Sequence, residues 1–348
     1  MPSLSTACRI ETAARLRQLI AEPPALMKKR LQTQIDAHCK TIIELASVCA
    51  VGFAEASIGI HYLNVRHYPV VNAQGTDIVL TWPAGKARPS ALSTDEAHAC
   101  SLFFIMPGIG FALRANGRCV IELTPHGIQL QFTAQTLFLH CSRAKVRAQF
   151  WAPRPDPVAA PGARGQAELS DAALDFVRRA SYLLMLTRNP DGSTELSPRG
   201  DPDGFVLAAD RRTLLIPERP GNKVACSLLN ILAVSEVSLS LLIPGASTAL
   251  TISGQAWLTA DPDHLHPLAI NGKVPALAIV LEVAQWQLQH CPELVEAGLW
   301  QAQTHLEDGA IASFPKMLAE HMNGTGLLGK ATTLVVDAVV KHDLKHLY

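Results

Sequence analysis

No C-x-x-C pair occurs in this chain, no G-x-S-x-G elbow, no P-loop motif and no surplus of charge of either sign. Each absence removes a class. Cys8, Cys39, Cys49, Cys100, Cys119, Cys141, Cys226 and Cys291 stand singly among apolar neighbours. They read as small hydrophobes of a reduced, cytoplasmic protein, without a metal site. Lys+Arg and Asp+Glu both number 30, so no basic stripe points to nucleic acid. The local cluster Arg143, Lys145 and Arg147 reads as a solvated helix face. The first twenty residues have no continuous apolar h-region, and no secretory leader is expected. Long apolar runs are lacking too: LSLLIPGASTALTISG breaks at Pro244-Gly245, and TTLVVDAVV carries Asp337. The first fits two strands joined by a turn, and neither fits a membrane span.

What is present is apolar bulk, with hydrophobic residues at 48% of 348, enough for two cores. The Pro-, Ala- and Gly-rich stretch WAPRPDPVAAPGARGQAELSD reads as a linker. A repeat lies across it. FFIMPGIGFALRANGRCVIE resembles SLLIPGASTALTISGQAWLT, pairing Pro107-Gly108 with Pro244-Gly245. His140-Cys141 and Trp151 likewise match His290-Cys291 and Trp300, beyond the turn-rich insertion DPDHLHPLAINGKVPA. The implied division is 1–155, a linker over 156–168, 169–302, and a helical tail over 303–348. Each half opens with a helix, LMKKRLQTQIDAHCKTIIEL or LSDAALDFVRRAS, the latter with Ser170 as N-cap. Short β-rich runs follow, such as YLLMLTR, GFVLAA, TLLIP, VSLSLLI, ALTISGQAWLT and ALAIVLEVAQWQL, with the helical stretch KVACSLLNILAV among them. The expected class is mainly β with added helices, a small barrel in each half.

Two loops of the second half look chemical. In SPRGDPDGF, Ser197 offers a hydroxyl, Arg199 a planar fork for phosphate oxygens and Gly200 a close backbone approach. Asp201 either fixes the turn or faces a ligand hydroxyl. In PERPGNKVACSLLNIL, Gly221 and Asn222 turn the chain into a helix whose N-terminus favours an anion. Arg219 and Lys223 add charge there, and Ser227 and Asn230 lie further along.

The string SPRGDPDGFV…LLIPERPGNK…SLLNIL…LLIPG…HC…LW resembles the FMN-binding split-barrel flavoproteins related to pyridoxamine 5′-phosphate oxidase. It is closest to the subfamily with SPRGDPPGF and IPDRPGNN signatures. IETAARLRQLIAEPP and HCSRAKVRAQFWAP in the first half resemble the same subfamily. The resemblance implies two tandem six-stranded split barrels forming a pseudo-dimer, with FMN between them. It implies that Ser197, Arg199, Gly200, Arg219, Gly221, Asn222, Lys223 and Ser227 hold the cofactor. It also implies an oxidoreductase acting on a small organic substrate, with a nicotinamide, NAD(P)H, as electron donor and a homodimer as an open possibility.

The first half departs from that pattern. NVRHYP is set against SPRGDP, so Asn64, His67 and Tyr68 replace Ser197, Gly200 and Asp201, and TWPAGKARPS replaces PERPGNKVAC. The first copy is therefore expected to be degenerate, with Arg66, His67, Tyr68, His61 and Trp82 as lining candidates. Arg66 beside His67 suggests binding and protonating an anionic substrate without flavin. The alternatives are thus a non-catalytic flavin- or haem-binding protein, or non-flavin chemistry in the first half. His264 and His266 are expected to be exposed, and His342 with His346 to form a solvated helix end. Adjacent positions in a strand face opposite ways, which argues against proton transfer within each His-Cys pair.

Overall fold

The structure is a computed structural model that describes residues 8–53, 59–84, 86, 92–124, 127–154 and 161–348. In chain order the elements begin with β1 (Arg9–Ile10), α1 (Ala13–Leu19), α2 (Ala37–Leu45), β2 (Val48–Phe53), β3 (Ile60–Asn64) and β4 (Asn72–Gln74). They continue with β5 (Asp77–Trp82), β6 (His98–Ile105), β7 (Ala112–Thr124), β8 (Gly127–His140), α3 (Arg143–Arg147) and β9 (Arg164–Gln166). The second half holds α4 (Asp171–Arg179), β10 (Tyr182–Arg188), β11 (Thr194–Gly200), β12 (Leu207–Ala208), β13 (Thr213–Pro217), α5 (Cys226–Ala233) and β14 (Glu236–Leu242). Then come β15 (Thr248–Thr259), α6 (Pro262–Leu265), β16 (Ala278–His290), α7 (Glu293–Glu296), α8 (Phe314–Asn323) and α9 (Leu327–Lys345).

These form two antiparallel sheets with one strand order. The first runs β3-β2-β6-β7-β8-β5-β4 and the second β11-β10-β14-β15-β16-β13-β12. Each strand of one occupies the place of its sequence counterpart in the other. The long central pairs even share an irregularity, with register shifts at Asn116/Gly117 and at Ser253/Gly254. Neither hydrogen-bonded path closes on itself among the described residues, so each half is an open, mainly β sheet with helices.

Why β2 and β10 read as unbroken apolar runs is explained by their two covered faces. Along β10, Leu183 and Met185 enter the core of the second half, while Tyr182, Leu184 and Leu186 enter a cluster shared between the sheets. Along β2, Cys49, Val51 and Phe53 line the first core, and Val48 and Ala50 face the shared cluster. That cluster also holds Tyr62, Phe103, Leu196, Leu242 and Trp300, so the sheets meet through a continuous apolar interior. Within it Tyr62 donates a hydrogen bond to Ser240 Oγ at 2.8 Å, whereas the hydroxyl of Tyr182 is buried without a partner among the described residues.

The termini cross over. β1 pairs with β15, and Leu16 of α1 belongs to the second core. Met317, Leu318 and Met322 of α8 and Val336 of α9 belong to the first core. The leader, grouped with the first half by sequence, thus packs on the second, because its apolar residues find their uncovered face there. Residues 164–166 of the expected linker form an edge strand on β16. The single helix expected over 26–45 is instead a 3-10 turn, Ala25–Arg30, and then α2, which starts where Asp36 accepts from the Cys39 amide. Ser170 caps α4 through the Ala173 amide, as its sequence position predicts.

Two exposure expectations fail. Arg143, Lys145 and Arg147 of α3 are buried, because the helix is wedged against β11 at the junction of the halves. His264 is also buried, at 3% exposure, on the inner side of the short α6, while His266 is exposed. No described helix is long and apolar enough to cross a membrane.

Candidate functional site

The ends of β11 and β13 and the start of α5 lie side by side at one edge of the interface. Arg199 on β11 pairs with Glu218 just after β13, and its Nη2 donates to Ser227 Oγ on α5 at 2.9 Å. Arg219 pairs with the buried Asp201 through Nε at 2.6 Å and donates to the Leu268 carbonyl at 2.8 Å. Asp201 therefore fixes the turn; its other oxygen accepts from the Tyr348 hydroxyl at 2.7 Å.

Seven of the eight residues singled out by sequence line one hollow of about 150 Å³: Ser197, Arg199, Gly200, Arg219, Gly221, Asn222 and Ser227. Lys223 does not. With a backbone φ of 62° its side chain turns to two neighbouring hollows of about 690 and 370 Å³. Gly221 and Asn222 border all three spaces, so this bend is their common wall. Gly200 lines the hollow and also serves the fold: a Cβ there would collide with the Ala144 carbonyl of α3, so glycine lets the two halves close together. Asn222 caps its own turn by accepting from the Val224 amide, and Asn230 points inward to Thr187 and Glu195.

The opposite wall comes from the first half and was missed in the sequence. Arg114 of β7 donates to Ser197 Oγ at 3.2 Å and pairs with Glu195 at 3.1 Å. Arg143 Nη1 reaches the Pro220 carbonyl at 3.1 Å, and its other nitrogen pairs with Asp343 of α9. Arg147 Nη2 donates to the same carbonyl at 2.7 Å, and Nε donates to Leu347 O at 2.9 Å. Five guanidinium groups thus ring one small space, four of them balanced by Glu195, Glu218, Asp201 and Asp343. Arg147 alone bonds only to carbonyls, with the Tyr348 ring over it at 5.5 Å; burial lowers its pKa. The Nε donors of Arg114 and Arg199 are buried with no hydrogen-bond partner among the described residues. Unused donors in a basic enclosure are what an anion requires. His140 also lines the hollow, packed edge-on against Phe138; burial and the nearby Arg114 drive its pKa well below normal, so it is neutral.

The residues proposed for the first half do not converge. His67 is exposed and meets Tyr68 edge-on, Trp82 is in the first core, and Arg66 lies beside Gly298. His61 is half-buried with its ring edge-on to Trp82, and desolvation of that ring lowers its pKa to about 4. Sheet register also corrects the loop alignment. Gly200 pairs with Tyr182 and Arg199 with Leu183; in the matching places Asn64 pairs with Val48 and Leu63 with Cys49. Leu63, not Arg66, stands where Arg199 does, and His61 stands where Ser197 does. Sequence matching slid by three residues because the shared arginine and proline outweighed the strand register. His342 and His346 stack on each other at 4.2 Å on α9.

Residues 169–290, which contain both bends, match the family model of pyridoxamine 5′-phosphate oxidase. No curated protein matches the chain. Among solved structures, HupZ of Group A Streptococcus is 13% identical, covering 35% of this chain and 94% of its own, with a TM-score of 0.30. A Clostridium acetobutylicum protein related to general stress protein 26, of the pyridoxinephosphate oxidase family, is 10% identical over 33% and 84%, with a TM-score of 0.26. Escherichia coli YcgR, solved with c-di-GMP, is 11% identical over 78% and 90%, with a TM-score of 0.25.

Proposed function

We propose that this chain is an FMN-dependent oxidoreductase built from two tandem split-barrel copies, of which the second holds the cofactor and the first completes its site. The observation that carries the reading is the single hollow shared by the bends 197–200 and 218–227 and walled by Arg114, Arg143 and Arg147. The family match over the same residues and the identical strand order of the halves support it.

On this reading the phosphate of FMN is held by Arg199, Ser197, Ser227 and the first-half arginines. A hollow of 150 Å³ suits only the anionic end of such a ligand, and the 690 Å³ space across Glu218 to Asn222 supplies the rest. The carboxylates of Glu218 and Asp201 keep the buried guanidiniums neutralised and oriented before the anion arrives. Bound flavin supplies the redox chemistry, with NAD(P)H as the proposed electron source. The protein's part is to exclude water, fix the anionic end and hold His140 uncharged in the wall. Proton transfer is not assigned to Arg66 or His67, since neither reaches this space.

The test is titration of FMN into the purified chain, followed by flavin fluorescence, with NADH and NADPH then offered as reductants. Saturable quenching that Arg199→Ala weakens by about tenfold or more is expected. Absence of FMN binding would overturn the reading, and binding without reduction by either nucleotide or turnover with any acceptor would leave a flavin carrier.

A further inference from the structure

Away from the arginine-walled hollow, α8 of the tail lies against the start of α2. Three unlike donors meet there. One atom each from Asp36, Cys39 and His321, a carboxylate oxygen, a thiol sulfur and a ring nitrogen, lie within 4.8 Å of one another. Cys39 is fully buried, and the His321 side chain is 1% exposed. His321 Nε2 sits 2.8 Å from Asp36 Oδ2, an ion-pair contact without hydrogen-bond alignment, and Nδ1 is buried with no hydrogen-bond partner among the described residues. Asp36 Oδ1 is used by the Cys39 amide at 2.8 Å, which holds the carboxylate in place. Beside them His38 and Glu320 satisfy each other at 2.5 Å and so are not spare ligands.

An imidazole buried with one nitrogen unpartnered and the other held only by a poorly aligned ion pair is costly, and a helix cap needs neither a thiol nor a histidine beside it. Donors that approach closely without hydrogen-bond alignment are what a cation between them would require. We propose that Asp36, Cys39 and His321 bind a borderline divalent cation of the zinc type. Thiolate, imidazole and carboxylate together suit Zn²⁺ or Co²⁺ and do not suit Ca²⁺ or Mg²⁺. The Asp36 side chain is 37% exposed, so a water molecule has access as fourth ligand. On binding, the thiol proton of Cys39 leaves to solvent and no electron is transferred. The cation clamps α8, and with it the tail that carries Asp343 and Tyr348, onto the leading helix of the first half. This inference is independent of the flavin reading.

The experiment uses the full chain, stripped with a chelator and titrated with Co²⁺ alone. A thiolate-to-cobalt charge-transfer band in the near ultraviolet, saturating at one equivalent and displaced by Zn²⁺, is expected. Cys39→Ser should abolish the band. Asp36→Asn keeps an acceptor for the helix cap but weakens Co²⁺ binding by at least about tenfold. It should also remove the rise in Tm that Zn²⁺ gives the parent chain. No band in the parent chain, a band that persists in Cys39→Ser, or unchanged binding by both Asp36→Asn and His321→Gln would overturn the proposal. Should Cys39→Ser fail to fold, the other two variants decide it.

Discussion

The two edges of the interface share one layout and differ in charge. At one, α3 follows β8 and presents Arg143 and Arg147 to Pro220 in the bend after β13. At the other, α7 follows β16 and presents Glu293 to Lys86 in the segment after β5, at 2.5 Å. Where β11 offers Arg199, β3 offers Leu63. One edge is a guanidinium enclosure with unused donors, and the other is closed by an internal ion pair. An anion gains several charge-assisted hydrogen bonds at the first and faces a carboxylate at the second. Two halves of one strand order within a single chain allow this division, because each half carries its own residues and contributes different ones to each edge.

If the sign of that wall decides which edge binds, Arg143→Glu is the most damaging single change. It puts the α7 charge into α3, and FMN affinity should fall by about a hundredfold or more in fluorescence titrations. Unchanged affinity would mean the wall is incidental.

The next effect concerns Lys145, a buried cation on α3. Burial pushes its pKa down to about 7, against the Ile109 and Phe111 carbonyls and the Trp151 face that favour the charged form. In the unfolded chain a lysine titrates near ~10.4. Between these values the unfolded chain keeps a proton that the folded chain has released, so stability rises with pH through the window and is lowest below about 7. From pH ~7 to ~9 the gain is on the order of 2 kcal/mol, and Lys145→Met should remove it from urea melts run across that range.

Smaller still is the contrast between two interface tyrosines. Tyr62→Phe should cost about 1 kcal/mol in urea melts by stripping Ser240 of its partner, while Tyr182→Phe should cost nothing, since that hydroxyl has no partner among the described residues. At the end of the scale, His67→Ala should leave FMN affinity unchanged and stability within about 0.5 kcal/mol. A marked loss of either would restore the first half as a site.

Much of the fold was legible because it is written locally. The Pro-Gly turns, the alternation of apolar runs with breakers and the Ser170 cap act within a few residues, and the repeat revealed the common plan. The bends at 197–200 and 218–227 were legible too as turns that gather an arginine, a glycine and a hydroxyl at short spacing, and the structure sets both on one hollow. The first-half arginines were not. RAKVR on a short helix has the same pattern whether it faces water or another sheet, and only the partner surface distinguishes the two. The loop correspondence failed for a related reason, because hydrogen-bond register and not residue identity fixes which side chains are equivalent.

By itself the sequence determined two β-rich halves, their turns and the second-half bends, because these follow from backbone sterics and nearest-neighbour chemistry. Tertiary structure alone decided that the leader crosses to the second half and the tail to the first. It decided that Gly200 serves contact with Ala144, and that Arg114, Arg143 and Arg147 complete the hollow. Those outcomes depend on burial and charge between segments far apart in the chain, and such forces exist only once the halves are packed together.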